Sequence, residues 1–303
     1  MSAFNAFIRA TLPVTPRFLI GFFARRYVAG ATLAEAVATV QRLAREGCCA
    51  TIDVLGESVT RRDHAEIAVA SYLEVLDAIA SERLPANISL KPTQMGLNIA
   101  ADFCRDNITR TVEEASRLGI FVRIDMEDSP TTDATLALGR ELSARFPGGV
   151  GVVLQARLRR TLTDAAELAA RRANVRLCKG IYLERREIAY EEHEIIRTAF
   201  IHALHILLEG GCYVGIATHD EWLVSEALAL VRRLGLKPDQ YEFQMLLGVD
   251  PELRRILVTG GHRLRVYVPF GTHWYPYSLR RLRENPTIAR AGLEAFVRGR
   301  IDR

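Results

Sequence analysis

Eight short apolar or β-branched runs recur along this chain, at residues 49–55, 87–90, 121–125, 151–154, 175–178, 213–217, 241–245 and 263–268. Each is separated from the next by a longer segment. Runs of that composition and length read as strands, and strands alternating with helices build parallel βαβ units. Eight such units in one α/β chain close on themselves as a (β/α)8 barrel. The intervening helices include 61–80, 161–172, 186–208 and 221–234, with Thr60, Thr132 and Asp220 placed as N-caps. A helical pattern at 33–46 precedes the first strand, and a last helix is expected over 288–298. The expected division is therefore a helical segment, 1–46, packed on a catalytic barrel, 47–303. No linker-like tract or short-period repeat argues for two domains.

Composition narrows the function. The formal net charge, 40 − 36 = +4, comes without basic runs interleaved with aromatics, so nucleic acid is excluded as a partner. The cysteines at 48, 49, 104, 178 and 212 form an odd set with no C-x-x-C spacing. That argues against a disulfide scaffold or a zinc site and fits a reducing cytoplasm. The apolar run at 18–24 lies between Pro16 and Arg25. It is too short for a membrane span and reads as neither a span nor a signal peptide, leaving helical core or a weak surface anchor.

Barrel enzymes carry their chemistry at the C-terminal ends of the strands. Here those positions read Asp53 and Glu57, Lys91, Asp125 to Asp128, Gln155, Lys179 to Tyr182, Thr218 to Asp220, Glu242 with Gln244, and Tyr267. Lysine stands only at 91, 179 and 237, so two of the three fall on this rim. Behind the last strand, Pro276 opens a helix bearing Tyr277, Arg280 and Arg281. Tyr277 and Arg281, at i and i+4, share a face, and Arg280 stands about a hundred degrees round the helix. One anionic group can be held by all three. Arg doublets recur elsewhere, as at 25–26 and 61–62, and by themselves are ordinary solvated faces; this pair is set apart by following a tyrosine-bearing strand.

Six motifs then stand in order: Asp53-Val-Leu-Gly-Glu57, Ile124-Asp-Met-Glu127, Arg176-Leu-Cys-Lys-Gly-Ile-Tyr182, Ala217-Thr-His219, Tyr241-Glu-Phe-Gln-Met-Leu246 and Tyr277-x-x-Arg-Arg281. With them the chain resembles the proline dehydrogenase family over nearly the whole barrel. The resemblance implies a distorted (β/α)8 TIM barrel that oxidises L-proline to Δ1-pyrroline-5-carboxylate. It implies FAD as hydride acceptor, a membrane quinone taking the electrons, and weak peripheral contact with the inner face of the cell membrane. It also implies the monofunctional form, without an aldehyde-dehydrogenase module.

The roles that the resemblance implies can be set against the chemistry of proline, a carboxylate on a small ring. Arg280 and Arg281 bind the carboxylate in fork geometry and Lys91 adds a point charge. Tyr267, Tyr277 and Leu246 wall the ring, with Tyr182 nearby. Asp125 and Arg176 are the catalytic pair, Asp125 holding cationic side chains in place; a plain structural ion pair is its equal alternative. Flavin contacts fall on Met126, Gln155, Arg176, Cys178, Lys179, Gly180, Ile181, Thr218 and His219, with Arg176 and Gln155 near the redox-active ring.

No G-x-G-x-x-G follows any expected strand, so a Rossmann-type site is unsupported. Gly180 reads as a position where a missing Cβ lets the cofactor approach, or as a turn glycine. His219 reads as a cofactor hydrogen bonder ahead of a general base or metal ligand, and His202-x-x-His205 as a packed helix face ahead of a metal site. No metal is expected. The loop at 271–276 is short and has no acidic partner for the helix arginines. Ser278 and Tyr275 bear on whether hydroxyproline is also taken. A competing reading is a Schiff-base aldolase using Lys91 or Lys179, and a third is a non-catalytic barrel that binds an amino acid.

Overall fold

The computed structural model describes residues 26–275 and 277–279, together with Gly21 and Ala24. Its strands are β1 (Cys49–Val54), β2 (Ala86–Leu90), β3 (Val122–Ile124), β4 (Val150–Gln155), β5 (Asn174–Cys178), β6 (Tyr213–Ala217), β7 (Tyr241–Leu246) and β8 (Leu264–Phe270). They pair in chain order, all parallel, and β8 returns to β1 to close the barrel. The α/β barrel read from the sequence is the architecture observed. Helix α1 (Leu33–Arg45) precedes β1; α2 (Arg62–Ser81), α3 (Ala101–Arg117), α4 (Thr132–Arg145), α5 (Thr161–Ala169), α6 (His193–Glu209), α7 (Glu221–Arg233) and α8 (Pro251–Thr259) each follow a strand.

Burial on both faces is clearest in β4, which is apolar up to Gln155 and buried throughout. Outward residues such as Ile52, Ile88, Val122 and Val266 join the helices in one continuous core. Helix α1 starts at a capping box, in which Thr32 and Glu35 exchange side-chain and backbone hydrogen bonds. It packs against β8 and β1, over the seam where the barrel closes.

Several expected boundaries shift. The helix expected from 186 begins at His193. Residues 186–192 are drawn instead onto the β4–α5 connection, where Tyr190 N donates to Arg157 O at 2.8 Å and Arg159 N to Ile188 O at 2.9 Å. These long-range pairings outcompete the local helical pattern. Arg61 and Thr131, not Thr60 and Thr132, occupy the N-cap positions of α2 and α4, and neither side chain caps. Asp220 stands at the N-cap of α7 but its carboxylate is engaged elsewhere. The expected helix at 288–298 lies outside the described residues, as does most of the run at 18–24.

Candidate active site

Conventional barrels fill their interior with layers of branched apolar side chains. This interior is polar at alternate strand positions: Thr51 and Asp53 on β1, Ser89 on β2, Arg176 on β5, Glu242 and Gln244 on β7, Arg265 and Tyr267 on β8. Lys91 and Asp125 follow directly on β2 and β3. Their side chains meet across the barrel, β5 reaching β2, β3 and β7.

At the C-terminal mouth these residues form one network. Lys91 Nζ lies 2.6 Å from Asp53 Oδ1 and donates to the Tyr267 hydroxyl at 3.5 Å. Tyr267 donates in turn to Asp125 Oδ2 at 2.9 Å. Asp125 Oδ1 accepts from Ser89 Oγ and from Arg176 Nη1, both at 2.7 Å. Arg176 Nη1 also reaches Ser89 Oγ at 3.1 Å, its Nε donates to Gln244 Oε1 at 2.5 Å, and its guanidinium carbon sits 5.3 Å from the centre of the Tyr267 ring. Lys91, Asp125 and Arg176 are therefore brought together. Asp53, Ser89 and Gln244 join them without having been assigned a role; their signal was the polar i, i+2 spacing in the strands.

Burial penalises the ammonium of Lys91, but the carboxylates of Asp53 and Asp125 outweigh it and hold the group above its ordinary pKa. A Schiff-base lysine needs the opposite shift. Lys179 is likewise in an ion pair, 3.0 Å from Asp220 Oδ2. Burial and the nearby Asp125 and Asp53 push the Tyr267 phenol well above its ordinary value, so it remains a neutral donor. Asp53 is raised by burial, and its Oδ2 has no hydrogen-bond partner.

A second group lines the ends of β4, β5 and β6. Strand register sets Gln155 beside Cys178 and Cys178 beside Ala217, so Lys179 and Thr218 follow at one height. Gln155 Nε2 donates to Glu127 O at 2.7 Å, Cys178 Sγ lies 3.6 Å from Leu154 O, and Thr218 Oγ1 accepts from Asp220 N at 3.1 Å. His219 Nε2 accepts from Leu246 N at 2.8 Å, which ties the ends of β6 and β7 and leaves the proton on Nδ1. Met126 is buried, while Ile181 and Tyr182 are half-buried. Gly180 has φ +95°, and a Cβ there would come within 2.8 Å of Gln155 Oε1 and 2.9 Å of Arg157 Cδ. The space that this glycine leaves is thus taken by the protein's own side chains, a reason different from the expected close approach of a cofactor. Arg157 Nη1 holds the Tyr182 carbonyl at 2.7 Å, and its buried Nε has no partner. Amide, ammonium, hydroxyl and guanidinium donors on three adjacent strands, with one buried N–H unspent, fit an anionic, hydrogen-bonding cofactor such as FAD.

Other expectations fall differently. Glu242 is not on the rim: it is the second residue of β7 and lies in the floor, gripped by Arg265 at 2.7 and 3.0 Å. Tyr277 is buried against Leu55 and Val28, beyond the end of β1. Ser278 spends its hydroxyl on Trp274 O at 2.7 Å. Arg280 and Arg281 lie outside the described residues. His205 pairs with Glu209 at 2.7 Å on the surface of α6, away from the barrel mouth. Among the described residues no helix is long and apolar enough to cross a membrane.

The family model described as proline dehydrogenase matches residues 36–291. Proline dehydrogenase 1 of Bacillus subtilis (strain 168) is 35% identical over 275 residues, 91% of this chain and 91% of its own length. The proline dehydrogenase of Deinococcus radiodurans is 32% identical over 280 residues, covering 91% and 90%. Among solved structures, proline utilization A from Bdellovibrio bacteriovorus, inactivated by N-propargylglycine, superposes with a TM-score of 0.81 at 23% identity, over 87% of this chain. That from Corynebacterium freiburgense gives 0.75 at 21% identity over 97%. The chain spans 32% and 35% of those two solved chains, so at these identities they bear on the fold alone.

Proposed function

The chain belongs to the proline dehydrogenase family, and from that premise we propose that it oxidises L-proline to Δ1-pyrroline-5-carboxylate, with FAD as resident cofactor and a membrane quinone as final electron acceptor. The observation that carries this reading is the Lys91–Asp53, Tyr267–Asp125–Arg176 network at the mouth of a closed parallel barrel. A charged lysine and a neutral phenol beside a fixed guanidinium suit a small zwitterion with one carboxylate.

Lys91 offers the carboxylate a positive charge, and the Tyr267 ring and Leu246 wall the pyrrolidine. Arg280 and Arg281 complete the carboxylate clamp in this reading; their part rests on the family motif. Asp125 holds Arg176 and the Tyr267 hydroxyl in register, so that both are in place before substrate arrives. Gln155, Cys178, Lys179, Gly180, Ile181, Thr218 and His219, with Met126 beneath, are the residues that would hold the flavin, and Arg176 serves both sites. When bound, FAD supplies the two-electron acceptor that no side chain provides. Hydride leaves C5 of proline and a proton leaves the ring nitrogen, giving the imine. In this reading the protein works in the cytoplasm, with weak peripheral contact at the inner face of the membrane.

The test is optical. Purified protein is expected to be yellow, and its flavin absorbance to bleach anaerobically on addition of L-proline. A colourless protein inactivated by borohydride in the presence of substrate would overturn the proposal in favour of an aldolase. For the clamp, Arg281→Met is expected to raise the KM for proline at least ~10-fold with flavin retained, since a charge-assisted hydrogen bond contributes ~1.5–3 kcal/mol.

A further inference from the structure

The polar interior does not stop at the mouth. Below Arg176 it continues through Gln244 to Glu242 and Arg265 in the barrel floor. Gln244 Nε2 donates to Glu242 Oε1 at 2.6 Å, while Gln244 Oε1 accepts from Arg176 Nε at 2.5 Å. Glu242 is itself fixed from three sides: Arg265 Nε at 2.7 Å, Arg265 Nη2 at 3.0 Å and the Tyr213 hydroxyl at 2.9 Å. Arg265 Nη1 is anchored on Ala50 O at 2.7 Å. Arg176, Gln244 and Glu242 are buried, while Arg265 and Tyr213 are half-buried.

A glutamine amide has a donor end and an acceptor end of nearly equal shape, and its neighbours decide which faces which. An ionised carboxylate only accepts. Facing Glu242, Gln244 must turn its NH2 downward and its oxygen up to Arg176. Gly215, on the neighbouring β6, leaves the space that the amide occupies: a Cβ there would come within 2.3 Å of Gln244 Nε2 and 2.7 Å of its Cδ. Burial works against the Glu242 carboxylate, but Arg265 outweighs it and holds the pKa below the ordinary glutamate value. We propose that Glu242 is a positioning residue which, by orienting the Gln244 amide, fixes the Arg176 guanidinium at the active site. Where it concerns what Arg176 does for flavin and proline, this rests on the function proposed above.

In Glu242→Gln the partner of Gln244 has its own donor and acceptor ends and no longer dictates the amide. Arg176 Nε then loses its assured acceptor, and the guanidinium is held only through Nη1, on Asp125 and Ser89. The double variant Glu242→Gln, Gln244→Glu moves the carboxylate one step closer and again presents an acceptor to Arg176. The experiment uses the flavin-loaded protein with selectively 15N-labelled arginine and follows three quantities: hydrogen exchange at Arg176 Nε, the flavin midpoint potential, and kcat against KM for proline.

For Glu242→Gln, Nε–H exchange is expected to accelerate at least ~10-fold, as the loss of one fixed acceptor implies. The reduction equilibrium of the flavin is expected to shift about 10-fold against the reduced form, about 30 mV for a two-electron couple. Turnover is expected to fall about 10-fold while KM stays within about twofold, the signature of a group acting on the reacting complex and not on ground-state binding. The double variant should recover all three. A lowered Tm with the three readouts unchanged would make Glu242 a structural ion-pair partner and overturn the proposal. Should Glu242→Gln not fold, Gly215→Ala displaces the same amide with every charge intact, and is expected to give the same signature. If the wild-type protein holds no flavin, the proposed function falls, and Arg176 Nε exchange alone decides the relay.

Discussion

Asp53 places one carboxylate oxygen on Lys91 and buries the other without a partner, so its charge is compensated from one side only. Lys91→Met would leave that carboxylate unpaired in the interior. Removing one member of a buried pair costs about 3–5 kcal/mol, and urea unfolding should show a loss of that order. Asp53 already has its pKa raised by burial. With the lysine gone the rise is larger, so the native state binds the proton more tightly than the unfolded chain. The variant's stability should therefore fall as the pH rises above about 3.9, the ordinary aspartate value. Asp53→Asn in the Lys91→Met background should recover much of the loss and flatten that slope; a pH-independent deficit would point to lost packing instead. Gly180 carries a second prediction at this scale. At φ +95° an alanine is strained, and its Cβ would strike Gln155 and Arg157, so Gly180→Ala should cost about 1–3 kcal/mol and weaken flavin retention, measured by filtration of the loaded protein. That a glycine was needed at the end of β5 was legible in the sequence. Which atoms fill its empty place was not, because Gln155 and Arg157 arrive from the end of β4 and the connection that follows it.

Between elements, Asp220 joins three parts of the chain. From the N-cap position of α7 its carboxylate holds Lys179, at the end of β5, and Arg197 of α6 through bonds of 2.8 and 2.9 Å. Burial opposes the charge, but Arg197 and Lys179 prevail and hold Asp220 well below the usual carboxylate range. A depressed pKa contributes stability that is present above the unfolded value, near ~3.9, and is lost as the pH falls toward the folded one. Thermal melts should thus separate wild type from Asp220→Asn at neutral pH and converge as the medium is acidified below about 4. Constant separation down to the acid limit would remove the ion-pair explanation. The sequence placed Asp220 as a helix cap, the commonest use of such a residue; its real partners come from α6 and β5. The same limit hid the relay below Arg176. Alternate residues in the first part of β7 and β8 are polar, Glu242 and Gln244, then Arg265 and Tyr267, and that spacing was visible. Whether such a face turns into the barrel or out toward the helices depends on closure, which no single strand encodes. It also misplaced Glu242, read as rim and found in the floor. Helix α6 was overextended for a related reason: 186–192 has helical composition, but backbone bonds to 157 and 159 claim it.

At the scale of the whole molecule, eight strand-like runs between helical segments sufficed to read a closed barrel, because right-handed βαβ units admit few other arrangements. The boundary proposed at residue 46 raises a sharper question, whether the helical segment before β1 is an appendage or part of the barrel's stability. Helix α1 lies across β8 and β1, the one junction that chain connectivity does not make local. Leu43 is fully buried there, in the same core cluster as Ile52 and Val268. If α1 and the barrel form one cooperative unit, Leu43→Ala lowers the stability of all of it by about 2–5 kcal/mol. The urea midpoint then falls with an unchanged m-value, since the surface exposed on unfolding is the same. If α1 is instead an independent cover, the variant releases the helix first. Far-ultraviolet dichroism would then report an early transition of small amplitude, tryptophan fluorescence from Trp222 on α7 would report a later one, and the fitted m-value would drop. Coincident transitions at a lowered midpoint are the expected result, because the helix seals the seam at which Thr51 pairs with Tyr267 and Asp53 with Pro269.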